Sequence, residues 1–461
     1  MIEPSPLGKA AALIEVDAQL VDDIELLLRD RQRGLVMNLV ADLHPADVAQ
    51  ILRRLPDAEA TELFDWLSEE QAGMALAEME SASRVDFLEE WQPEEIVAVL
   101  DEMDTDDAAD LLADLPSAMA DLVLPHLEDS IELQKLLSYP EDTAGGIMAT
   151  EFVAVPVEAT VGEATEILRQ SAETVDPVYV LYVLNDEGRL AGVVDLKRLV
   201  LARASAPIAS IMQTDVVQVH PDRDQEEVAR LMERYDLVAL PVVSASGRMI
   251  GRITIDDVVD VIREEAEEDF QRASGLTGGE ELSSSVFSVS RGRMPWLLVG
   301  LGGAAMSGLV IGTFEESLEQ AVVLAVFIPI VTAMGGNAAV QSGAITIQGI
   351  ATGELWSSDL TTRLLKEVSV ALFNGVLLGG LVAAVIGAIG LGGVDMPRLA
   401  LTVGVTMFCV ILLATTNGAT VPLVLHRLGI DPSLSMGPFV TTLNDIIGLT
   451  VYFLVASILF F

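Results

Sequence analysis

The sequence predicts a multi-domain membrane protein. Its parts are an all-α N-terminal superhelix, a duplicated α/β module, a connecting helix and a five-helix transmembrane domain. Three observations predict this class. The 461 residues carry a formal net charge of −44, and that charge is confined to one part of the chain. Residues 1–294 hold 61 Asp and Glu against 22 Lys and Arg, whereas residues 295–461 hold 9 and 4. The apolar part divides into five runs of membrane-spanning length, and the acidic part contains one pattern twice.

The N-terminal stretch, "MIEPSPLGKAAALIEVDAQL", does not read as a signal peptide, because Glu15 and Asp17 break its short apolar run. The soluble part is therefore expected in the cytoplasm. Residues 30–137 read as short amphipathic helices, among them "LHPADVAQILRRLP" (43–56), "LSEEQAGMALAEME" (67–80), "WQPEEIVAVLDEM" (91–103) and "MDTDDAADLLADLP" (103–116). Each has a turn residue, an acidic first turn and apolar residues at helical spacing. The repetition predicts a small helical superhelix. Acids at helix starts complement the macrodipole. Asp106 and Asp110, however, share one face at i, i+4, where like charges repel unless neutralised.

The duplication follows. "IMATEFVAV" (147–155) matches "IMQTDVVQV" (211–219), and "EGRLAGVVDLKRLV" (187–200) matches "SGRMIGRITIDDVV" (246–259). Each copy reads strand, helix, strand, Gly turn, strand, helix. The helix closing the second copy, "IDDVVDVIREEAEEDF" (255–270), pairs Asp257 with Asp260, Glu264 with Glu268, and Glu265 with Asp269 on shared faces. Two readings stand for this patch: a solvated helix face, or an oxygen-ligand site for a hard cation such as Mg2+ or Ca2+. "SGLTGGEELSSS" (274–285) is expected to break the helix before the membrane. The expected divisions are 1–137, 138–204, 205–262, 263–290 and 291–461.

A helix needs about 20 apolar residues to span the hydrocarbon core. Uncharged runs of that length occur at Pro295–Phe314, Gln320–Gly353, Val368–Val394 and Leu399–Leu425, and Pro432–Phe461 is a fifth that tolerates Asp445. Arg291, Arg293, Arg363, Lys366 and Arg427 flank one side and only Arg398 the other, which places the N-terminus inside and Phe461 outside. Small residues in "GLGGAAMSG" (300–308) and "LLGGLVAAVIGAIG" (377–390) suit close helix packing. In "MGGNAAVQSG" (334–343), Asn337 and Gln341 share a face, either bonded to another helix or lining a wet pathway. Asp445 sits mid-span beside Thr441, Thr442 and Asn444, and no Lys or Arg falls within a span to pair with it. A central Asp costs about 2.5–3.5 kcal/mol. Its partner is then water, a proton or a metal cation, leaving a cation pathway and a structural protonated Asp as the two readings.

Several classes are excluded. An acidic surface repels nucleic acid, whose phosphates need Lys and Arg; its plain reading is solubility or a salty habitat, since only 4 of the 26 basic residues are Lys. Cys409 stands alone, so no intramolecular disulfide forms. No nucleophile–base set, Gly-rich phosphate loop or His cluster marks an enzyme.

The order of parts resembles the MgtE family of magnesium transporters and channels over essentially the whole chain after about residue 30. The matching motifs are "YPEDTAGGIMATEFVAV", the two copies read as CBS repeats, "MPWLLVG", "MGGNAAVQS" and "GIDPSLSMGPFVTTLNDIIG". The resemblance implies a homodimer in the cell inner membrane, with a Mg2+-selective pore on its two-fold axis. It implies that Asp445 selects the ion, with Asn444, Thr441 and Asn337 beside it, and that Asp431 in "GIDP" lies at the cytoplasmic end. The family usually has Ser or Thr where this chain has Asn444, a departure that bears on ion choice. The resemblance also implies that Mg2+ bridges acidic faces and closes the pore, keeping Mg2+ homeostasis. The matching positions are Glu62, Asp106 and Asp110, then Asp224, Glu226 and Asp236, then Asp257, Asp260, Glu265, Glu268 and Asp269. Thr254 and Asp257 form the Thr-x-x-Asp pattern that often holds a ribose, so ATP at the CBS repeats is a further expectation. The alternatives are regulated transport of another cation and a membrane metal or nucleotide sensor without transport.

Overall fold

The computed structural model describes residues 16–41, 43–79, 81–88, 91–171, 175, 177–276, 286–352, 355, 360–389 and 395–461. The expectations for residues 1–15 and for 277–285 lie outside them. The chain forms two compact units, Met1–Arg263 and Glu264–Phe461.

The soluble unit opens with α1 (Ala18–Arg29), α2 (Arg33–Val40), α3 (Pro45–Arg54), α4 (Asp57–Phe64) and α5 (Glu69–Ala77). It continues with α6 (Ser81–Leu88), α7 (Pro93–Leu100), α8 (Thr105–Asp114), α9 (Ser117–Val123) and α10 (Ser130–Leu136). The helix starts are local chemistry. Asp17 accepts from Leu20 N at 2.8 Å. Ser68 and Gln71 cap each other's backbone in a capping box. Pro45 and Pro93 sit in the first turn, where no donor is lost. The predicted acidic first turns are present in α3, α5, α7 and α8, and α4 has one as well.

The duplicated module follows as β1 (Ala154–Pro156), α11 (Val161–Ser171), β2 (Val180–Leu184), β3 (Leu190–Asp195) and α12 (Leu196–Leu201). The second copy has α13 (Gln225–Tyr235), β4 (Ala239–Val243), β5 (Met249–Thr254) and α14 (Ile255–Ala273). β1 runs parallel to β2 and β2 antiparallel to β3, with Ala154 opposite Tyr182 and Val180 opposite Asp195. β4 pairs antiparallel with β5, Ala239 opposite Thr254. In the second copy the expected first strand is only the parallel bridge Val219–Val242. The copies exchange their leading segments: Ala149 bridges to Arg252 in β5, and Gln213 to Val193 in β3. One hydrophobic core runs from Ile24, Leu28, Leu63 and Leu111 through to Val228, Val242, Ile253 and Val258. The first copy keeps its own core around Val155, Leu181 and Val194. Sharing a core with the second copy is what holds the acidic start of α8 against that copy.

The membrane unit holds five helices long and apolar enough to cross a bilayer. They are α15 (Val286–Thr313), a segment Val322–Ala351 whose main helix is α17 (Ile328–Ala351), α18 (Leu360–Ile389), α19 (Met396–Arg427) and α20 (Pro438–Leu459); the short α16 (Glu315–Gln320) joins the first two. α19 is the central element. Glycine lets backbones meet there: a Cβ on Gly379 would lie 2.6 Å from Gly404 O, and one on Gly404 2.9 Å from Gly379 O.

The helices outrun the uncharged stretches, which corrects one expectation. α18 starts at Leu360 rather than Val368 and so includes Arg363, Lys366 and Glu367. Two basic residues therefore lie inside this helix: Lys366 is exposed, and Arg363 Nη2 sits 2.6 Å from Glu367 Oε1. Glu367 is 8% exposed and accepts from Ser342 Oγ of α17 at 2.8 Å. The desolvation cost of the carboxylate is offset only with both partners present.

Candidate ion pathway and carboxylate sites

In the membrane unit, Asp431 opens a short turn, Pro432–Ser435, and its Oδ1 accepts from Ser433 N at 2.8 Å and Ser433 Oγ at 2.6 Å. Gly437 then takes φ 61°, a conformation favouring glycine, and Pro438 starts α20. Thr441 Oγ1 donates back to Gly437 O at 3.0 Å. Thr442 packs against Gly303 of α15, where no Cβ would fit, so it is a packing residue. Asn444 is 2% exposed and its amide donates to Val440 O at 2.8 Å. It faces the helix packing, while Asp445, one position on and about 100° round the helix, is half-buried. Among the described residues no hydrogen bond or ion pair engages the Asp445 carboxylate.

The Gly pair of "MGGN" belongs to packing. A Cβ on Gly335 would lie 3.0 Å from Val410 Cγ1, and one on Gly336 3.9 Å from Thr441 Cγ2. That approach turns Asn337 and Gln341 outwards, and Gln348 with them; all three amides are exposed on α17. Gln348 extends the Asn337–Gln341 pair along one face of α17, about three turns on from Asn337.

In the soluble unit, α8 meets the duplicated module through Thr105. Thr105 is buried; its Oγ1 donates to Glu151 Oε2 at 2.9 Å and receives Thr150 N at 2.9 Å. This junction brings Asp104, Asp106 and Asp107 towards Asp257. Burial, then the charge of Asp257, pushes the Asp106 carboxyl well above the usual carboxylate range. The same two causes raise Asp107 to about 7. Burial and then Glu151 raise Asp104 to about 6. Burial raises Asp257 to about 6, against Thr254 N and Oγ1, which donate to its Oδ2 at 3.0 and 2.9 Å. Asp110 is exposed and engaged by neighbours. Sequence reasoning named Asp106, Asp110 and Asp257; it missed Asp104, Asp107 and Glu151, whose role depends on long-range docking.

The remaining acids are dispersed. Asp224 caps α13, its Oδ1 accepting from Glu226 N at 2.9 Å, and Glu226 pairs with Arg230. Asp236 ends that helix in the left-handed region at φ 50°. Glu62 lies 3.9 Å from Arg31, and Asp260 3.2 Å from Arg263. Glu265, Glu268 and Asp269 are half-buried near the end of α14. Among the described residues no three carboxylate, imidazole or thiol groups converge on one metal-ligating point. The acids gathered at the α8 junction offer oxygen donors alone, the donor type that hard divalent cations take.

Five apolar spans, the last with a carboxylate unpaired among the described residues, joined to an acidic helical unit and a duplicated α/β module, suit a membrane cation transporter. Residues 328–455 match the MgtE family, described as divalent cation transporters, and residues 43–142 the MgtE intracellular N domain. Residues 144–205 and 208–264 match CBS domains. The chain is 31% identical over 441 residues to magnesium transporter MgtE of Bacillus subtilis, covering 95% of this chain and 97% of the relative. It is 32% identical over 453 residues to magnesium transporter MgtE of Thermus thermophilus, covering 96% and 99%. The chain belongs to the MgtE family of divalent cation transporters. Its soluble part is similar to the crystal structure of the soluble part of a magnesium transporter, with TM-score 0.51, 31% identity, and coverage of 54% of this chain and 98% of that one. It is also similar to the cytosolic domain of the Mg2+ channel MgtE in complex with ATP, with TM-score 0.50, 32% identity, and coverage of 52% and 99%.

Proposed function

We propose that this chain carries Mg2+ into the cell as a homodimer in the inner membrane, and that cytosolic Mg2+ closes the pathway. The observation that carries the reading is Asp445, a mid-span carboxylate without a protein partner among the described residues, in a chain whose relatives are magnesium transporters. Two Asp445 side chains across a two-fold axis attract a divalent cation more than a monovalent one. Mg2+ dehydrates reluctantly, so the carboxylates, with Thr441 and Asn337 nearby, bind it through its waters. Asn444 acts from behind, fixing the helix turn that presents Asp445. Asp431 stands at the cytoplasmic end. The exposed amides on α17 and the apolar Val200 and Val259 support a dimer. These two valines hold matching positions in the two copies and are 79% and 58% exposed.

The sensor is the acidic surface. Asp104, Asp106, Asp107 and Asp257 repel one another when docked, and a divalent cation among them removes that repulsion. The other acids that the family resemblance marks, Glu62, Asp110, Asp224, Glu226, Asp236, Asp260, Glu265, Glu268 and Asp269, are further candidate ligands of the same cation. Cytosolic Mg2+ thus favours the docked state by differential binding, and α14 transmits it. The basic flanks support a cytoplasmic N-terminus and soluble unit, with the C-terminus outside. A second reading adds a nucleotide at the CBS repeats, with Thr254 and Asp257 facing its ribose; it rests on the ATP held by a solved relative. Calorimetric titration with ATP tests it, and no heat of binding would remove it.

Flux in proteoliposomes tests the main reading. Mg2+ influx is expected, and it is expected to fall as internal Mg2+ rises. Absent influx ends the transport reading; influx indifferent to internal Mg2+ ends the gating.

A further inference from the structure

Asp431 is fully engaged within the membrane unit. Its Oδ1 is taken by Ser433, and its Oδ2 accepts from Arg272 Nη1 at 2.7 Å. Arg272, on the last turn of α14, also pairs with Glu268 one turn back. One guanidinium therefore lies between two carboxylates that the family resemblance marks as cation ligands. The backbone locks this contact. Gly275, at φ 81°, abuts Pro438, where a Cβ would lie 2.6 Å from Pro438 Cδ. Gly437, at φ 61°, faces back: its Cβ would lie 3.1 Å from Gly275 N and 3.2 Å from Ala273 O. The end of α14 and the start of α20 thus touch through two glycines, with Arg272 beside the contact rather than free on a surface.

We propose that Arg272 is a tethered cation at the inner mouth: it neutralises Glu268 and Asp431, holds the end of α14 against the start of α20 without metal, and yields Asp431 to a passing divalent cation only when displaced. An arginine fork suits this, because it reaches two carboxylates in fixed geometry and never deprotonates. The inference rests on the reading of Asp431 as the inner end of the pathway.

The test is Mg2+ influx into Mg2+-free proteoliposomes holding the full chain. Arg272→Gln is expected to raise initial influx about two- to five-fold, the range of a partly exposed ion pair. Arg272→Lys keeps the charge and should stay within about two-fold of wild type. In an Asp431→Asn background the Arg272→Gln rise should vanish, because its partner is gone. Unchanged influx in Arg272→Gln overturns the inference, as does a rise that persists undiminished in Asp431→Asn. If Arg272→Gln fails to fold and Arg272→Lys folds, the charge is again placed in the contact; failure of both overturns it. A wild type without influx removes the transport reading and this inference together, whereas wild-type influx with an indifferent Arg272→Gln removes this inference alone.

Discussion

The acids of the two units solve opposite problems. In the soluble unit, Asp104, Asp106, Asp107 and Asp257 crowd together, and burial with mutual repulsion raises them towards neutrality. In the membrane unit, Glu367 is held by Arg363 and Ser342, while Asp445 has no such support among the described residues. Glu367 is thus tied into the helix packing, whereas Asp445 is free to meet the cation we propose for it. A crowded soluble cluster is neither: its cost is adjustable by any cation or proton that arrives.

The largest expected effect separates the two membrane acids. Glu367→Ala strands Arg363 as a buried charge and should cost about 3–5 kcal/mol, read as a lower melting temperature in detergent. A double Arg363→Met, Glu367→Leu variant should recover most of the loss. Asp445→Asn should do the reverse, relieving up to about 2.5–3.5 kcal/mol of insertion cost and so raising the melting temperature. It should also cut Mg2+ influx about tenfold or more, equivalent to roughly 1.4 kcal/mol of lost ion stabilisation. A destabilised Asp445→Asn with intact influx would make Asp445 structural and collapse the distinction.

That distinction was half legible in the sequence. Asp445 stood out because apolar runs make a single charge visible, and the acidic helix starts of α3, α5 and α8 followed from local capping chemistry. The Arg363–Glu367 pair is hidden in the sequence, where a charge reads as the end of a span, whereas in the fold Ser342 and Arg363 hold Glu367 buried. Asn444 was grouped with Asp445 by adjacency, yet one step round a helix turned it into the packing. The convergence of Asp104 and Asp107 on Asp257 joins positions about 150 residues apart, beyond the reach of periodicity. Nothing in the sequence marks Arg272, because only the fold sets it against Asp431.

Smaller effects belong to the soluble cluster. Asp106→Asn removes one like charge without changing shape. It should strengthen metal-free docking of α8 by about 1 kcal/mol, near the worth of one pKa unit, and flatten the dependence of influx on internal Mg2+. Hydrogen exchange of the α8 amides in the full chain reads the first effect. Faster exchange in Asp106→Asn would show that the carboxylate holds the junction rather than straining it.

The subtlest effect is the pH dependence of the same junction. Asp104 and Asp257 titrate near 6 and Asp107 near 7 when docked, against an ordinary value of 3.8. The docked state therefore binds more protons than the undocked one across this window. Stability of docking is fully present below about pH 4, where both states are protonated, and it is lost as pH rises through 6 to 7. Metal-free protein should show slow α8 exchange at pH 5 and faster exchange at pH 7.5, beyond the intrinsic chemical acceleration measured on an unstructured peptide. Mg2+ should restore protection at pH 7.5 and change little at pH 5, where protons already occupy the carboxylates. Equal protection by Mg2+ at both pH values would mean that the cation binds elsewhere, and the crowded cluster would lose its claim to be the sensor.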